Sequence, residues 1–312
     1  MVSVKWMDFG PERPVEPFFA QTIKRLRSGA AQAPECTTDL STLIAAGEAL
    51  KPIVPAGLIF HVSRCGSTLV ANAMRANPDV TVLSEAWPIE LFFRPDYMAR
   101  APFIPEAMED MRRILVGCVA NYYGGLAGTE RGALVIKFHA ADLTQFSLIR
   151  SVWPCVPAVI VIRDPVEIIV SNLAKPAPWV TWRTQPELAQ KVFSWKDIDT
   201  TRLSVEEYCA RALGRLFEIA GSSLDATCRL VDYEKLDRNM IGRIAEFFGL
   251  SLTTQGEMPD QLFSQWSKDP EGVRTFEPDS SRKRAEASDA LRGAVRDWAL
   301  NGYERLRSLD VW

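Results

Sequence analysis

Histidine is nearly missing from this chain: His61 and His139 are the two in 312 residues. A multi-histidine metal centre is therefore not expected, because such sites draw most of their ligands from that residue. Cysteine is sparse and scattered. The six, at 36, 65, 118, 155, 209 and 228, include no Cys-x-x-Cys pair, so their spacing suggests neither a zinc site nor a disulfide framework. No apolar run approaches the roughly 18 residues of a membrane span. The stretch MVSVKWMDFGPERPVEPFF has no apolar core of signal-peptide length before its prolines and charges. The expectation is a cytoplasmic protein without a transmembrane segment. A dominant charge is lacking too: 36 basic against 39 acidic side chains leave a net −3 and a pI near 5.7. So weak a field argues against a nucleic-acid partner and leaves room only for a local basic pocket.

What is present suits a globular protein. Hydrophobic residues at 47% and charged residues at 24% exclude a disordered or fibrous chain, and the length supports a sizeable core. Residues 1–50 read as an arm packing on the domain that follows, with Pro11, Pro14 and Pro17 before an amphipathic stretch from Phe18 to Leu26. Residues 51–312 carry a regular pattern. Five short apolar runs of buried-strand length begin at Leu58, Val80, Leu134, Ala158 and Cys228. Helical patterns follow over 68–77, 107–123, 166–173, 205–220 and 239–248. Continuous apolar strands alternating with helices predict an α/β fold with a central, mainly parallel five-stranded sheet flanked by helices. Ligands in such folds bind beyond the carboxyl ends of the strands, which directs attention to the residues just after each run.

The first run ends in Ser63-Arg64-Cys65-Gly66-Ser67-Thr68 and leads directly into a helix. Small residues let backbone N–H groups curl around an anion, and the helix start adds partial positive charge. The hexapeptide departs from the ATP/GTP phosphate loop in lacking a lysine between Gly66 and Ser67. A strand–helix turn that binds nothing has the same appearance. After the fourth run come Arg163-Asp164-Pro165, with Ser171 eight residues beyond Arg163. The arginine can fork onto a phosphate and the serine can donate a hydrogen bond; equally, Arg163 can simply pair with a carboxylate at a helix start.

Together these segments resemble the sulfotransferases that use 3′-phosphoadenosine-5′-phosphosulfate (PAPS), and the resemblance extends to Leu230-Val231-Asp232-Tyr233-Glu234-Lys235-Leu236 and the helix after it. It spans roughly residues 57–310, on motifs that support one another. It implies a P-loop-type three-layer fold, and sulfuryl transfer from PAPS to a hydroxyl or amine of a small-molecule acceptor, with no metal. It places Ser63, Arg64, Cys65, Gly66, Ser67 and Thr68 at the 5′-phosphosulfate, Arg163 and Ser171 at the 3′-phosphate, and Tyr233 near the adenine. The Arg282-Lys283-Arg284 triplet lies where the family sets a basic loop over the 3′-phosphate, so Arg282 and Lys283 are carried over, although the family's glycine is replaced by Arg284. An uncovered charge run reads the same way.

For catalysis the resemblance implicates Arg64 and Lys137 as cations near the sulfuryl group. A lysine inside an apolar run also needs a partner if it is buried. Two groups compete as general base. Glu85, after the second run, matches the base of the tyrosylprotein sulfotransferases and would need burial to raise its pKa. His139, in Lys137-Phe138-His139, matches the Lys-x-His of the cytosolic sulfotransferases and has a suitable pKa unperturbed. Glu85 is favoured, because loop and second run both resemble its branch. His61 is expected to be a hydrogen-bonded core residue and Cys65 a small loop residue without nucleophilic duty. A P-loop small-molecule kinase using Mg-ATP, and a catalytically silent nucleotide-binding protein, are the competing readings.

Overall fold

The computed structural model describes residues 3–9, 13–28, 34–95, 109–125, 132–252, 261–264, 267–269, 275, 277–309 and 312. Five of its strands form one sheet: β3 (Gly57–His61), β4 (Val80–Ser84), β5 (Ala133–Lys137), β6 (Ala158–Ile162) and β7 (Cys228–Asp232). Their order is β4-β5-β3-β6-β7, and every neighbouring pair is parallel. The apolar runs fall on these strands within a residue at each end. They are recognisable because both faces are covered: every residue of β3, β4 and β6 is buried. The parallel β-sheet core is flanked by helices, among them Ser67–Arg75, Glu109–Gly125, Pro165–Ala174, Val205–Ser222 and Arg238–Phe247. The last of the predicted helical patterns thus begins at Arg238, and residues 107 and 108 lie outside the described residues.

From β3 the chain runs outward to the edge strand β4, returns to β5 beside β3, and then crosses to β6 on the other side of β3. The crevice at such a switch point lies beyond the carboxyl ends of the strands. The connection after β3 begins there, and Ile59 pairs with Lys137 while His61 pairs with Val161. The residues after β3, β4, β5 and β6 are thereby gathered at one edge.

The described residues among the first fifty include two strands and two helices. β1 (Ser3–Met7) pairs antiparallel with β2 (Glu35–Asp39), and helices Phe19–Ser28 and Leu40–Ala49 accompany them. The pairing joins segments some thirty residues apart, so no local turn signals it. Trp6 supplies the anchor: its Nε1 donates to Thr38 Oγ1 at 2.7 Å and its ring meets Tyr122 edge-on at 4.7 Å. The helix 40–49 is capped by Asp39, whose carboxylate accepts from Thr42 N–H at 2.8 Å, and packs on helix 109–125.

Candidate active site

The loop after β3 is built from residues in the left-handed region, with φ of 80° at Ser63, 49° at Arg64 and 85° at Gly66. Positive φ outside glycine marks a conformation held by its surroundings. Ser63 N–H donates to His61 Nδ1 at 3.0 Å, and the Cys65 thiol donates to Val161 C=O at 3.0 Å. Cys65 is buried, and burial raises its pKa, which suits a packing residue. Gly66 is required twice over. Its φ disfavours a side chain, and a Cβ would sit 2.8 Å from Leu236 Cδ2 and 2.9 Å from Tyr233 Cδ2. Helix 67–75 then starts with no side-chain cap, so its first N–H groups are available to an anion.

Glu85 follows β4 in the left-handed region, φ 56°, with its N–H donating to Lys137 C=O at 2.7 Å. This turn aims its carboxylate at three nitrogens. Lys137 Nζ, completely buried, donates to Oε1; His139 Nδ1 lies 3.1 Å from Oε2; His61 Nε2 lies 3.7 Å from Oε1. Lys137 thus has the partner that a buried lysine requires. Burial pushes the Glu85 carboxyl up, but Lys137, then His139 and His61, outweigh it and hold the group well below the usual carboxylate range. Burial alone does not raise this pKa, because the cation at the strand end wins. Burial, then the charge of Lys137, lowers His61 to about 4, so this imidazole is neutral at pH 7. With Nδ1 accepting from Ser63, its proton sits on Nε2, facing Glu85. His61 is buried as expected, yet it borders the cavity described below rather than only the core.

A second carboxyl group stands behind His139. Glu90 Oε2 is 3.8 Å from His139 Nε2 and 3.0 Å from Arg94 Nη1, while Arg94 Nε is 3.6 Å from Asp142 Oδ1. Burial and the neighbouring Asp142 push the Glu90 carboxyl well above the usual range, against the pull of Arg94. Asp142 Oδ2 also accepts His139 N–H at 2.7 Å, which fixes the backbone at that position.

At the other end, Arg163 is buried. Its Nε donates to Glu167 Oε2 at 2.7 Å, its Nη1 to Arg64 C=O at 3.2 Å and its Nη2 to Asp279 Oδ1 at 2.8 Å. Its guanidinium lies 4.0 Å from the Tyr233 ring centroid. Lys283 Nζ is 2.7 Å from Asp279 Oδ2, and Arg282, more exposed, pairs with Glu286 at 3.0 Å. Arg284 turns to Glu167, Asp164 and Glu234 instead.

Most of these parts border one cavity of about 710 Å³, with Glu90, Asp142, Glu167 and Arg284 outside its lining. Ser63, Arg64, Cys65, Gly66, Ser67, Thr68, Glu85, Lys137, His139, Arg163, Ser171, Tyr233, Arg282 and Lys283 all line it, so the residues singled out in the sequence are brought together without exception. Trp179 and Trp182 line it as well, whereas Phe92, Phe93 and Trp153 are core. Sequence reasoning missed several lining residues. Phe18 and Gln21 come from the N-terminal segment, and Phe18 lies with its ring centroid 5.6 Å from Lys137 Nζ. Lys268 is a further cation, lowered to about 8 by burial and by the charges of Arg64 and Lys137. Nothing around Ser267-Lys268-Asp269 in the sequence separates it from a surface lysine. Among the described residues, no group of three or more His, Cys, Asp or Glu is placed to hold a metal ion, and no helix is long and apolar enough to cross a membrane.

No family model and no curated protein matches the chain. Sulfotransferases are among the solved structures that resemble it. The sulfotransferase domain from the Synechococcus PCC 7002 olefin synthase is 17% identical, covering 80% of this chain and 95% of that one, at a TM-score of 0.45. A sulfotransferase from Alicyclobacillus acidocaldarius is 16% identical, covering 82% and 95%, at 0.43. The sulfotransferase STF9 from Mycobacterium avium is 14% identical, covering 78% of each chain, at 0.43. Likeness at this distance concerns the course of the chain; the chemistry rests on the side chains described above.

Proposed function

We propose that the protein is a PAPS-dependent sulfotransferase acting on a hydroxyl or amine of a small molecule. The observation that carries this reading is a single cavity with an anion cradle at its centre, a buried Arg163–Lys283 pair of cations at one end and the Lys137–Glu85–His139 cluster at the other. A donor with phosphate at both ends of an adenosine, and a transferable group beyond the 5′-phosphate, suits that distribution of charge. The size is also that of a small-molecule site.

Each residue has a stated task. The loop from Ser63 to Thr68 holds the 5′-phosphate by backbone and hydroxyl donors. Arg163, Ser171 and Lys283 select the 3′-phosphate, and Arg163 against Tyr233 places the adenine end. Lys137 and Arg64 offset charge on the sulfuryl and bridging oxygens. Glu85 takes the acceptor's proton as the acceptor oxygen or nitrogen bonds to sulfur and the sulfur–oxygen bond to the phosphate breaks. The products are a sulfate ester, or a sulfamate from an amine, and 3′,5′-adenosine bisphosphate. Because Lys137 holds Glu85 at low basicity in the free protein, its diversion to sulfuryl oxygens strengthens the base only when donor is in place. His139 orients the carboxylate and the acceptor.

Against a Mg-ATP kinase stand the missing loop lysine and the engagement of Asp164, which accepts Val166 N–H at 2.8 Å as a helix cap and pairs with Arg284. Calorimetric titration tests the reading. The expected result is binding of 3′,5′-adenosine bisphosphate in the presence of EDTA, with Arg163→Ala weakening it by about tenfold or more and weakening 5′-AMP far less. Preference for Mg-ATP, or equal losses for both adenylates, would remove Arg163 from its assigned role.

A further inference from the structure

Asp279 stands immediately before helix Ser280–Glu286, at a position where an aspartate ordinarily caps its own helix. Here it makes no such cap. Its carboxylate is turned into the cavity instead, with Oδ1 2.8 Å from Arg163 Nη2 and Oδ2 2.7 Å from Lys283 Nζ. The two cations are buried, at 6% and 9% side-chain exposure, while Asp279 keeps 27%. Ser280 Oγ completes the ring, accepting from Arg163 at 3.2 Å and donating to Glu167 at 2.9 Å. A carboxylate that bridges two buried cations by its two oxygens is an anion accepting from the donors that a phosphate in the same place would use.

We infer that Asp279 is an internal stand-in for the nucleotide's 3′-phosphate, so that a 3′-phosphorylated nucleotide binds only by displacing this carboxylate from Arg163 and Lys283. The inference rests on the PAPS reading and adds a specificity-setting competitor to it. Two consequences follow from the charges. Without a nucleotide, Asp279 pairs buried Lys283 and gives Arg163 a second carboxylate beside Glu167, so the two cations do not face each other with a single counter-charge between them, which would be costly. With one bound, the carboxylate and the 3′-phosphate cannot both occupy the pair, so Asp279 lowers affinity for the 3′-phosphorylated product and eases its departure. Glu167 remains on Arg163 in either case, from the same helix, and keeps the guanidinium oriented.

The test is calorimetric titration of the full chain and of its Asp279→Asn and Asp279→Ala variants with 3′,5′-adenosine bisphosphate and with 5′-AMP, alongside melting curves without nucleotide. Both variants should bind the bisphosphate about tenfold or more tighter while 5′-AMP changes less than about threefold. Both should also melt lower than the unsubstituted protein without nucleotide and regain more from the bisphosphate. A purely structural carboxylate would lower melting without tightening the bisphosphate, and that result overturns the proposal. So does weaker bisphosphate binding in both variants, which would make Asp279 a partner of the ligand. If the unsubstituted protein already binds the bisphosphate no better than 5′-AMP, the PAPS reading fails first, and the assignment of Asp279 falls with it.

Discussion

Lys137 and Glu85 neutralise each other at the ends of two neighbouring strands, and the consequences of breaking that pair are specific. As the proposed base, Glu85 would act only when ionised, so turnover is expected to fall as pH drops through its pKa. Lys137 is the largest charge holding that pKa down. Lys137→Met should therefore shift the acid limb of the kcat/KM–pH profile for PAPS, which reports the donor-free protein, to higher pH as well as lowering kcat, and a full pH–rate profile reads both. Glu85→Gln keeps size and hydrogen bonding but removes basicity. It should lower turnover by about 10²-fold or more with little change in nucleotide affinity. His139→Asn should cost less, because Glu85 retains Lys137. Near-normal turnover in Glu85→Gln with a dead His139→Asn reverses the assignment. An acceptor whose own pKa lies well above the assay pH is needed, since an ionised phenol requires no base.

The loop after β3 connects sequence and site at the scale of one element. Its hexapeptide stood out because a glycine and small hydroxyl residues follow a buried strand and lead into a helix. Its strained backbone was not, because φ at Ser63 and Arg64 is set by tertiary bonds such as that of Ser63 to His61. Gly66→Ala should lower stability by about 1–2 kcal/mol from the left-handed backbone alone and should push Tyr233 from Arg163, weakening nucleotide binding; urea unfolding and titration measure the two effects. The sheet strands were readable for a related reason: residues covered on both faces form continuous apolar runs. β2 was not, since Glu35-Cys36-Thr37-Thr38-Asp39 is mostly exposed and finds its partner at Ser3–Met7. Helix 280–286 announced its basic triplet, but not that Asp279 would face inward.

Across the whole molecule, most of the site residues singled out in the sequence lie at or just after strand ends, and the fold collects strand ends; Arg282 and Lys283 come instead from helix Ser280–Glu286. What stayed hidden comes from elsewhere: Phe18 and Gln21 from the N-terminal segment, Lys268 from a stretch without pattern, and Glu90, Arg94 and Asp142, each of which reads alone as a surface charge. Their meaning lies in burial, which one chain's charges do not disclose. The same buried network predicts acid sensitivity. His61, lowered from 6.5 to about 4, is neutral in the folded chain and protonates more readily unfolded. Its contribution to stability is complete above about pH 6.5 and is lost as pH falls from there toward 4. The depressed Glu85 carboxyl adds a loss at still lower pH, as it takes up its proton. Unfolding midpoints measured from pH 7 to 4 should fall, and His61→Gln should flatten the upper part of that slope. Ligand binding acts in the opposite sense. Saturation with 3′,5′-adenosine bisphosphate at a hundred times its Kd should add about 2.7 kcal/mol, unchanged by EDTA. The most direct measurement of the central claim is transfer of labelled sulfuryl from PAPS to a panel of alcohols, phenols and amines with EDTA present. The account predicts a labelled product with at least one acceptor, formed stoichiometrically with 3′,5′-adenosine bisphosphate and lost in Glu85→Gln. Tight bisphosphate binding with no transfer to any acceptor, or transfer that Glu85→Gln leaves intact, would contradict it.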